Sequence, residues 1–97
     1  MIKLEGIIPP LPTPFNAEDE FDESLLKGLI DWYLSIGVNG IAVCGSTGEG
    51  YALTLDEYLR VCKTAVKYVG GRVPVIAGVI VNSLKQALAY GKSAKDV

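Results

Sequence analysis

Residues 45–50 are the part of the chain whose side-chain types and spacing are best suited to chemistry. Their sequence, GSTGEG, places two adjacent hydroxyls between glycines, directly after the apolar run 41–44. Glycines let a backbone fold tightly with its N–H groups turned to one point. Two hydroxyls can donate, or pass a proton, at the same point. The pattern is typical of a cradle for a carboxylate or an oxyanion, with Ser46 and Thr47 as the candidate binding residues.

Other glycine-based sites fit this segment less well. A dinucleotide fingerprint runs directly into a helix, whereas here the helical pattern begins near Thr54. A phosphate-binding loop of the Walker type requires a lysine after its last glycine, and none is present. A nucleophile elbow would need glycine in place of Cys44 and a histidine base, and the chain has no histidine. An ordinary strand-to-helix turn, in which the hydroxyls cap local backbone, remains an open alternative at this point.

Three apolar runs predict strands that position this segment. Residues 7–12 form a short run stiffened by prolines, which suits a brief strand. Residues 38–44 and 73–79 are the next two predicted strands. Residues 41–44 of the first are apolar without alternation, which indicates a strand buried on both faces, as in a parallel sheet, and 73–79 is a further buried strand. The cradle therefore follows the carboxyl end of the second strand.

Three helical patterns alternate with these strands. The first begins after a predicted N-cap at Asp22 and ends at Gly37; the second begins with a capping box at Thr54; the third begins after Ser83. We expect the apolar faces to comprise Leu55, Leu59, Cys62, Val66 and Val69 in the second helix, and Ala87, Leu88, Gly91 and Ala94 in the third. The order βαβαβα predicts an α/β fold, and it matches the opening of a (β/α)8 TIM barrel, of which this chain would supply about the first three βα units.

Composition excludes several classes of function. The 97 residues carry a net charge of −2 with scattered cations, which gives no basis for binding nucleic acid or an anionic membrane. No apolar stretch approaches the ~20 residues of a membrane span, and residues 1–5 do not resemble a signal peptide, so a cytoplasmic protein is expected. Without histidine, a Ser-His-Asp triad cannot be assembled within this chain. We expect Cys44 and Cys62 to be buried, reduced thiols.

Several motifs, in order along the whole chain, resemble the dihydrodipicolinate synthase and N-acetylneuraminate lyase superfamily. The segment 44–49, CGSTGE, resembles its Gly-Ser/Thr-Thr-Gly-Glu signature, and 12–15, PTPF, resembles the Thr-Pro-Phe loop after its first strand. Leu53-Thr54 with Glu57 is similar to the start of its second helix, and residues 71–78 are similar to its third strand.

The resemblance implies a (β/α)8 barrel with residues 1–97 as the N-terminal part of a single domain. It implies a class I lyase or aldolase, in which a lysine forms a Schiff base with pyruvate or another 2-oxo acid and the enamine reacts with an aldehyde or imine. Ser46 and Thr47 would hold the substrate carboxylate, and Ser46 would belong to a proton relay with tyrosines. No cofactor and no metal are implied. A homo-oligomer, a tetramer or a dimer, is expected at full length.

The family positions of the Schiff-base lysine and the catalytic tyrosine lie beyond Val97, so the 97-residue chain alone is expected to be inactive. Its seven lysines match neither position and are interpreted as solvated charges. Serine at position 46 also occurs in sugar-acid aldolases and dehydratases of the superfamily, and such an enzyme is the first alternative. A truncated, non-catalytic barrel fragment acting as an assembly module is the second alternative.

Overall fold

The computed structural model describes residues 2–97; Met1, the first residue of the predicted domain 1–97, lies outside the described residues. The elements are helices α1 (Glu23–Ser35), α2 (Leu55–Val69) and α3 (Leu84–Lys95), strands β1 (Ile41–Val43) and β2 (Val75–Ala77), and a single 3₁₀ turn at Gly50–Ala52.

The sheet is parallel, as predicted, but the strand predicted at residues 7–12 is much shorter than expected. In β1 and β2, Ile41 lies opposite Val75 and Val43 opposite Ala77. Residues 7–12 contribute only a parallel bridge, in which the Leu11 N–H donates to the Ala42 carbonyl (2.9 Å) and the Ala42 N–H donates to the carbonyl of Pro9 (3.1 Å). The next residue that could donate to β1 on the amino-terminal side is Pro9, which has no N–H, so the ladder cannot extend in that direction.

The predicted helix starts are confirmed. The Asp22 carboxylate accepts from the Leu25 N–H at 3.0 Å. Thr54 and Glu57 form a complete capping box, each side chain accepting from the other's backbone N–H, at 3.2 and 2.9 Å. The Ser83 hydroxyl accepts from Gln86 at 3.1 Å. These caps satisfy N–H groups that a helix end leaves without partners.

Helix α2 supplies more core side chains than any other described element, but through a stripe that shares only Cys62 and Val69 with the one predicted. Leu55 and Val66, assigned to the apolar face, are 37% and 43% exposed. The buried side chains are Tyr58, Val61, Cys62, Thr64, Ala65 and Val69. They pack with residues of α1 and β1, including Leu26, Ile30, Ile41 and Val43. Positions 58, 61/62, 65 and 69 have helical spacing themselves, so the amphipathic pattern allowed two overlapping stripes.

The β2 and α3 region is less buried than predicted. All three residues of β2 are half-buried, not covered on both faces. No residue of α3 is buried, and Leu88, placed on its apolar face, is 52% exposed. The side chains of α3 that contact the core are Tyr90 and Ala94. Within residues 2–97, no helix combines the length and apolar character that crossing a membrane requires.

Candidate carboxylate-binding site

The GSTGEG segment forms a tight turn between β1 and α2. Cys44 leaves the strand with φ 59° and Glu49 follows with φ 53°, both in the left-handed region. The Glu49 N–H donates to the Ser46 carbonyl at 3.1 Å, and the Gly50 N–H donates to the Gly45 carbonyl at 3.0 Å. These two bonds fold the segment back on itself before the 3₁₀ turn leads into α2.

Two of the three glycines are required by close backbone contacts. A Cβ on Gly50 would overlap the carbonyl oxygen of Cys44, and one on Gly48 would lie 2.9 Å from the Leu11 carbonyl oxygen. Gly45 has open space around its Cβ position and no positive φ. The turn therefore packs against the end of β1 on one side and against the segment around Leu11 on the other, which fixes its position.

Ser46 and Thr47 lie side by side at the exposed part of the turn. Within residues 2–97, neither hydroxyl has a hydrogen-bond partner, and the backbone N–H groups of Ser46, Thr47 and Gly48 donate to no protein group. The interpretation as an ordinary turn, with hydroxyls capping local backbone, requires hydrogen bonds that the described residues lack. The turn offers free neutral donors at the carboxyl end of a parallel strand.

Thr13 stabilises the turn through a buried hydrogen bond, a role that the sequence did not reveal. Its hydroxyl is buried, and it donates to the Gly48 carbonyl at 2.6 Å across 35 residues of sequence. The only local signal was a hydroxyl held between Pro12 and Pro14 in an otherwise apolar segment. This hydrogen bond connects the segment around Thr13 to Gly48, in the middle of the candidate site.

A buried polar cluster lies behind the turn, between β1 and α2. Cys44 and Cys62 are free and buried, as predicted. Interaction with the Cys62 thiol, and then burial, raise the pKa of Cys44 well above its ordinary value; the same contact lowers the pKa of Cys62. Burial raises the pKa of the nearby Tyr58, whose hydroxyl lies close to Cys62 yet has no well-formed hydrogen bond among the described residues.

Other candidate side chains do not join the site. Glu49, the carboxylate of the turn, is exposed and makes no capping hydrogen bond. The seven lysines are all exposed, in keeping with their interpretation as solvated charges. Among residues 2–97 there is no group of three or more Cys, Asp or Glu side chains arranged to hold a metal ion.

Known proteins resemble this chain over nearly its whole length. The model of the dihydrodipicolinate synthetase family matches residues 3–97. The 4-hydroxy-tetrahydrodipicolinate synthase of Cellvibrio japonicus is 40% identical over 94 residues, which is 97% of this chain and 32% of that protein.

Solved structures agree with this match. A dihydrodipicolinate synthase from Acinetobacter baumannii, crystallised with pyruvate, is 33% identical with a TM-score of 0.91, over 97% of this chain and 32% of its own. The N-acetylneuraminate lyase of Aliivibrio salmonicida is 26% identical with a TM-score of 0.92, over 100% of this chain and 32% of its own.

These neighbours are TIM-barrel enzymes, so the predicted fold class is confirmed, with this chain corresponding to their N-terminal part. The chain spans about a third of the length of the relatives that it matches. From the match over residues 3–97, the chain belongs to the dihydrodipicolinate synthetase family.

Proposed function

We propose that the full-length protein is a class I lyase or aldolase that acts on pyruvate or another 2-oxo acid, and that residues 1–97 are the N-terminal part of its single barrel domain. The observation that carries the proposal is the turn after β1, where Ser46 and Thr47 present free donors at the carboxyl end of the strand. In (β/α)8 barrels this end of the strands is where the chemistry takes place.

The roles of Ser46 and Thr47 follow from what Schiff-base formation needs. A lysine amine attacks the keto carbon and water leaves, so the 2-oxo acid has to be held with that carbon facing the amine. Hydroxyl and backbone N–H donors bind the carboxylate without a fixed positive charge. Ser46 also passes a proton to the tyrosines of a relay. The lysine and the catalytic tyrosine are expected beyond residue 97, in agreement with the exposure of all seven lysines present.

Family membership and the pyruvate complex of the Acinetobacter baumannii synthase support pyruvate as the first substrate. The second substrate is then an aldehyde or an imine. A sugar-acid aldolase or dehydratase is the alternative favoured by Ser46 and by the match to a neuraminate lyase, whose TM-score is 0.92. We expect the full-length protein to be a homo-oligomer, a dimer or a tetramer.

Borohydride trapping of the full-length protein with pyruvate tests the proposal. Intact-mass spectrometry is expected to show one reduced pyruvyl unit per chain. Ser46→Ala and Thr47→Val should raise the pyruvate concentration for half-maximal trapping about tenfold, because each removes a carboxylate donor. Ser35→Ala is the matched control, since its hydroxyl bonds only the Trp32 carbonyl in α1.

The outcomes separate the alternatives. If the full-length protein gains no adduct at millimolar pyruvate, it is not a class I enzyme. The non-catalytic assembly module would then be the better interpretation. If the adduct forms, comparing the condensation of pyruvate with a polyhydroxylated sugar aldehyde and with a non-sugar aldehyde distinguishes the two enzyme classes. The faster reaction identifies the second substrate class.

A further inference from the structure

We propose that Cys44 is a positioning residue for the carboxylate-binding turn, and that it acts through the contact of its side chain with Cys62 on α2. This inference rests on the function proposed above, because it concerns how Ser46 and Thr47 are held. It assigns a role to a buried pair of thiols that the Schiff-base chemistry does not use.

The backbone of Cys44 is the first argument. Its φ of 59° lies in the left-handed region, which residues other than glycine rarely adopt. A side chain in such a conformation persists only where its surroundings determine it. Cys44 is completely buried, so its side chain is enclosed on all sides. The chain therefore keeps a side chain at a position where glycine would fit the backbone with less strain.

The peptide that follows Cys44 is enclosed as well. A Cβ on Gly50 would overlap the Cys44 carbonyl oxygen, and one on Gly78 would lie 2.7 Å from it. The Gly78 N–H donates to the Val43 carbonyl at 2.9 Å, which holds the end of β2 in place beside this peptide. The carbonyl of Cys44 is thus held between the returning turn and the strand next to β1.

The thiol connects this point to α2. Cys62 lies in the middle of α2, is itself 3% exposed, and belongs with Cys44 to one cluster of buried core residues. Interaction with the Cys62 thiol also raises the pKa of Cys44. The connection 45–54 leaves β1 at Cys44 and returns to α2, so the pair of thiols joins the two elements across the base of that connection. The side-chain contact sets the distance between β1 and α2, and with it the geometry of the turn.

The consequence for binding follows from where Cys44 lies, two residues before Ser46. A rotation about its φ moves the whole turn, and a displacement of about 1 Å in a binding group costs on the order of 100-fold in rate. Glycine would accept the same φ but would also allow other values, and it would lose the contact with Cys62. Losing this anchor weakens carboxylate binding without removing either hydroxyl.

The test uses the trapping assay on the full-length protein, with half-saturating pyruvate and thermal unfolding measured for each variant. Cys44→Gly is expected to raise the pyruvate concentration for half-maximal trapping about tenfold, since part of the alignment of Ser46 and Thr47 with the carboxylate is lost. Cys62→Ala should shift it in the same direction, and the double variant should be no worse than Cys44→Gly, because both remove one contact. Cys44→Ser, which keeps a polar group of similar size, should restore most of the affinity.

Val61→Ala is the matched control, since Val61 is equally buried on the neighbouring position of α2. It should lower the unfolding temperature and leave half-saturation unchanged. A half-saturation for Cys44→Gly equal to that of the parent or of Val61→Ala would overturn the inference. If Cys44→Gly does not fold, Cys62→Ala carries the same test, because it leaves the turn's backbone intact. No adduct in the parent protein would instead overturn the proposed function, and this inference with it.

Discussion

The two complete strand–turn–helix units of the chain differ sharply in burial, although they begin from similar local signals. Ile41 and Val43 of β1 are buried and α2 buries six side chains, whereas β2 is half-buried and α3 buries none. Both helices begin with a hydroxyl N-cap, Thr54 in one and Ser83 in the other. Local capping therefore does not account for the difference.

The difference comes from the number of packed neighbours. Helix α2 contacts α1 on one side and both strands beneath it, while α3 packs mainly on α2. A helix buries an apolar face only when another element covers it. Within residues 2–97, the unit that carries Ser46 and Thr47 is the better packed of the two. The candidate site therefore rests on contacts that the described residues already supply.

The largest expected effect comes from a pair of glycines in the turn after β1. Gly50→Ala should destabilise the chain by about 4 kcal/mol or more, since its Cβ would overlap the Cys44 carbonyl. Gly45→Ala should change stability by no more than about 1 kcal/mol, because nothing lies near its Cβ position and its φ is not positive. Urea unfolding followed by circular dichroism measures both. Equal losses for the two variants would show that the turn is not held by its contact with Cys44.

A pair of leucines, one in α1 packed against α2 and one on α3, tests the contrast between α2 and α3 in the 97-residue chain. Leu26→Ala should destabilise the chain by about 3 kcal/mol, because Leu26 of α1 is fully buried in the core that α2 covers. Leu88→Ala on α3, where the side chain is 52% exposed, should cost less than about 1 kcal/mol. The measurement is again urea unfolding. If Leu88→Ala were as costly as Leu26→Ala, α3 would be packed as tightly as α2 and the contrast would not hold.

The features that the sequence predicted well are those that depend on a few adjacent residues. The N-caps at Asp22, Thr54 and Ser83 are confirmed, because a capping hydrogen bond joins residues three positions apart. The end of α1 just before Gly37, with φ 87°, is confirmed for the same reason. The parallel order follows from the alternation of elements and also holds. These signals are local, so periodicity and residue type suffice to find them.

The features that the sequence missed depend on distant contacts. Two overlapping apolar stripes of α2 share Cys62 and Val69, and only the packing of α1 and β1 decides which one is buried. The left-handed φ of Cys44 had no local signal, since the residue reads as the end of an apolar strand. Thr13 became part of the site only through a bond to Gly48, 35 residues away. Which residues come together at the site depends on tertiary contacts, whereas the residue types of the glycine-rich turn can be seen in the sequence.

The smallest expected effects come from two tyrosines whose rings pack together, with centroids 4.9 Å apart, between α2 and α3. Tyr58→Phe should stabilise the chain by up to about 1 kcal/mol, because the Tyr58 hydroxyl is buried without a hydrogen-bond partner among residues 2–97. Tyr90→Phe should destabilise it by about 1 kcal/mol, because the Tyr90 hydroxyl donates to the Leu53 carbonyl at 3.1 Å. The two substitutions remove the same atom, so the sign of the change in urea midpoint is the readout.

A loss of stability in Tyr58→Phe would mean that its hydroxyl makes a stabilising contact with the Cys62 thiol, and that the cluster behind the turn includes all three side chains. A gain would leave the two thiols as the polar contact between β1 and α2.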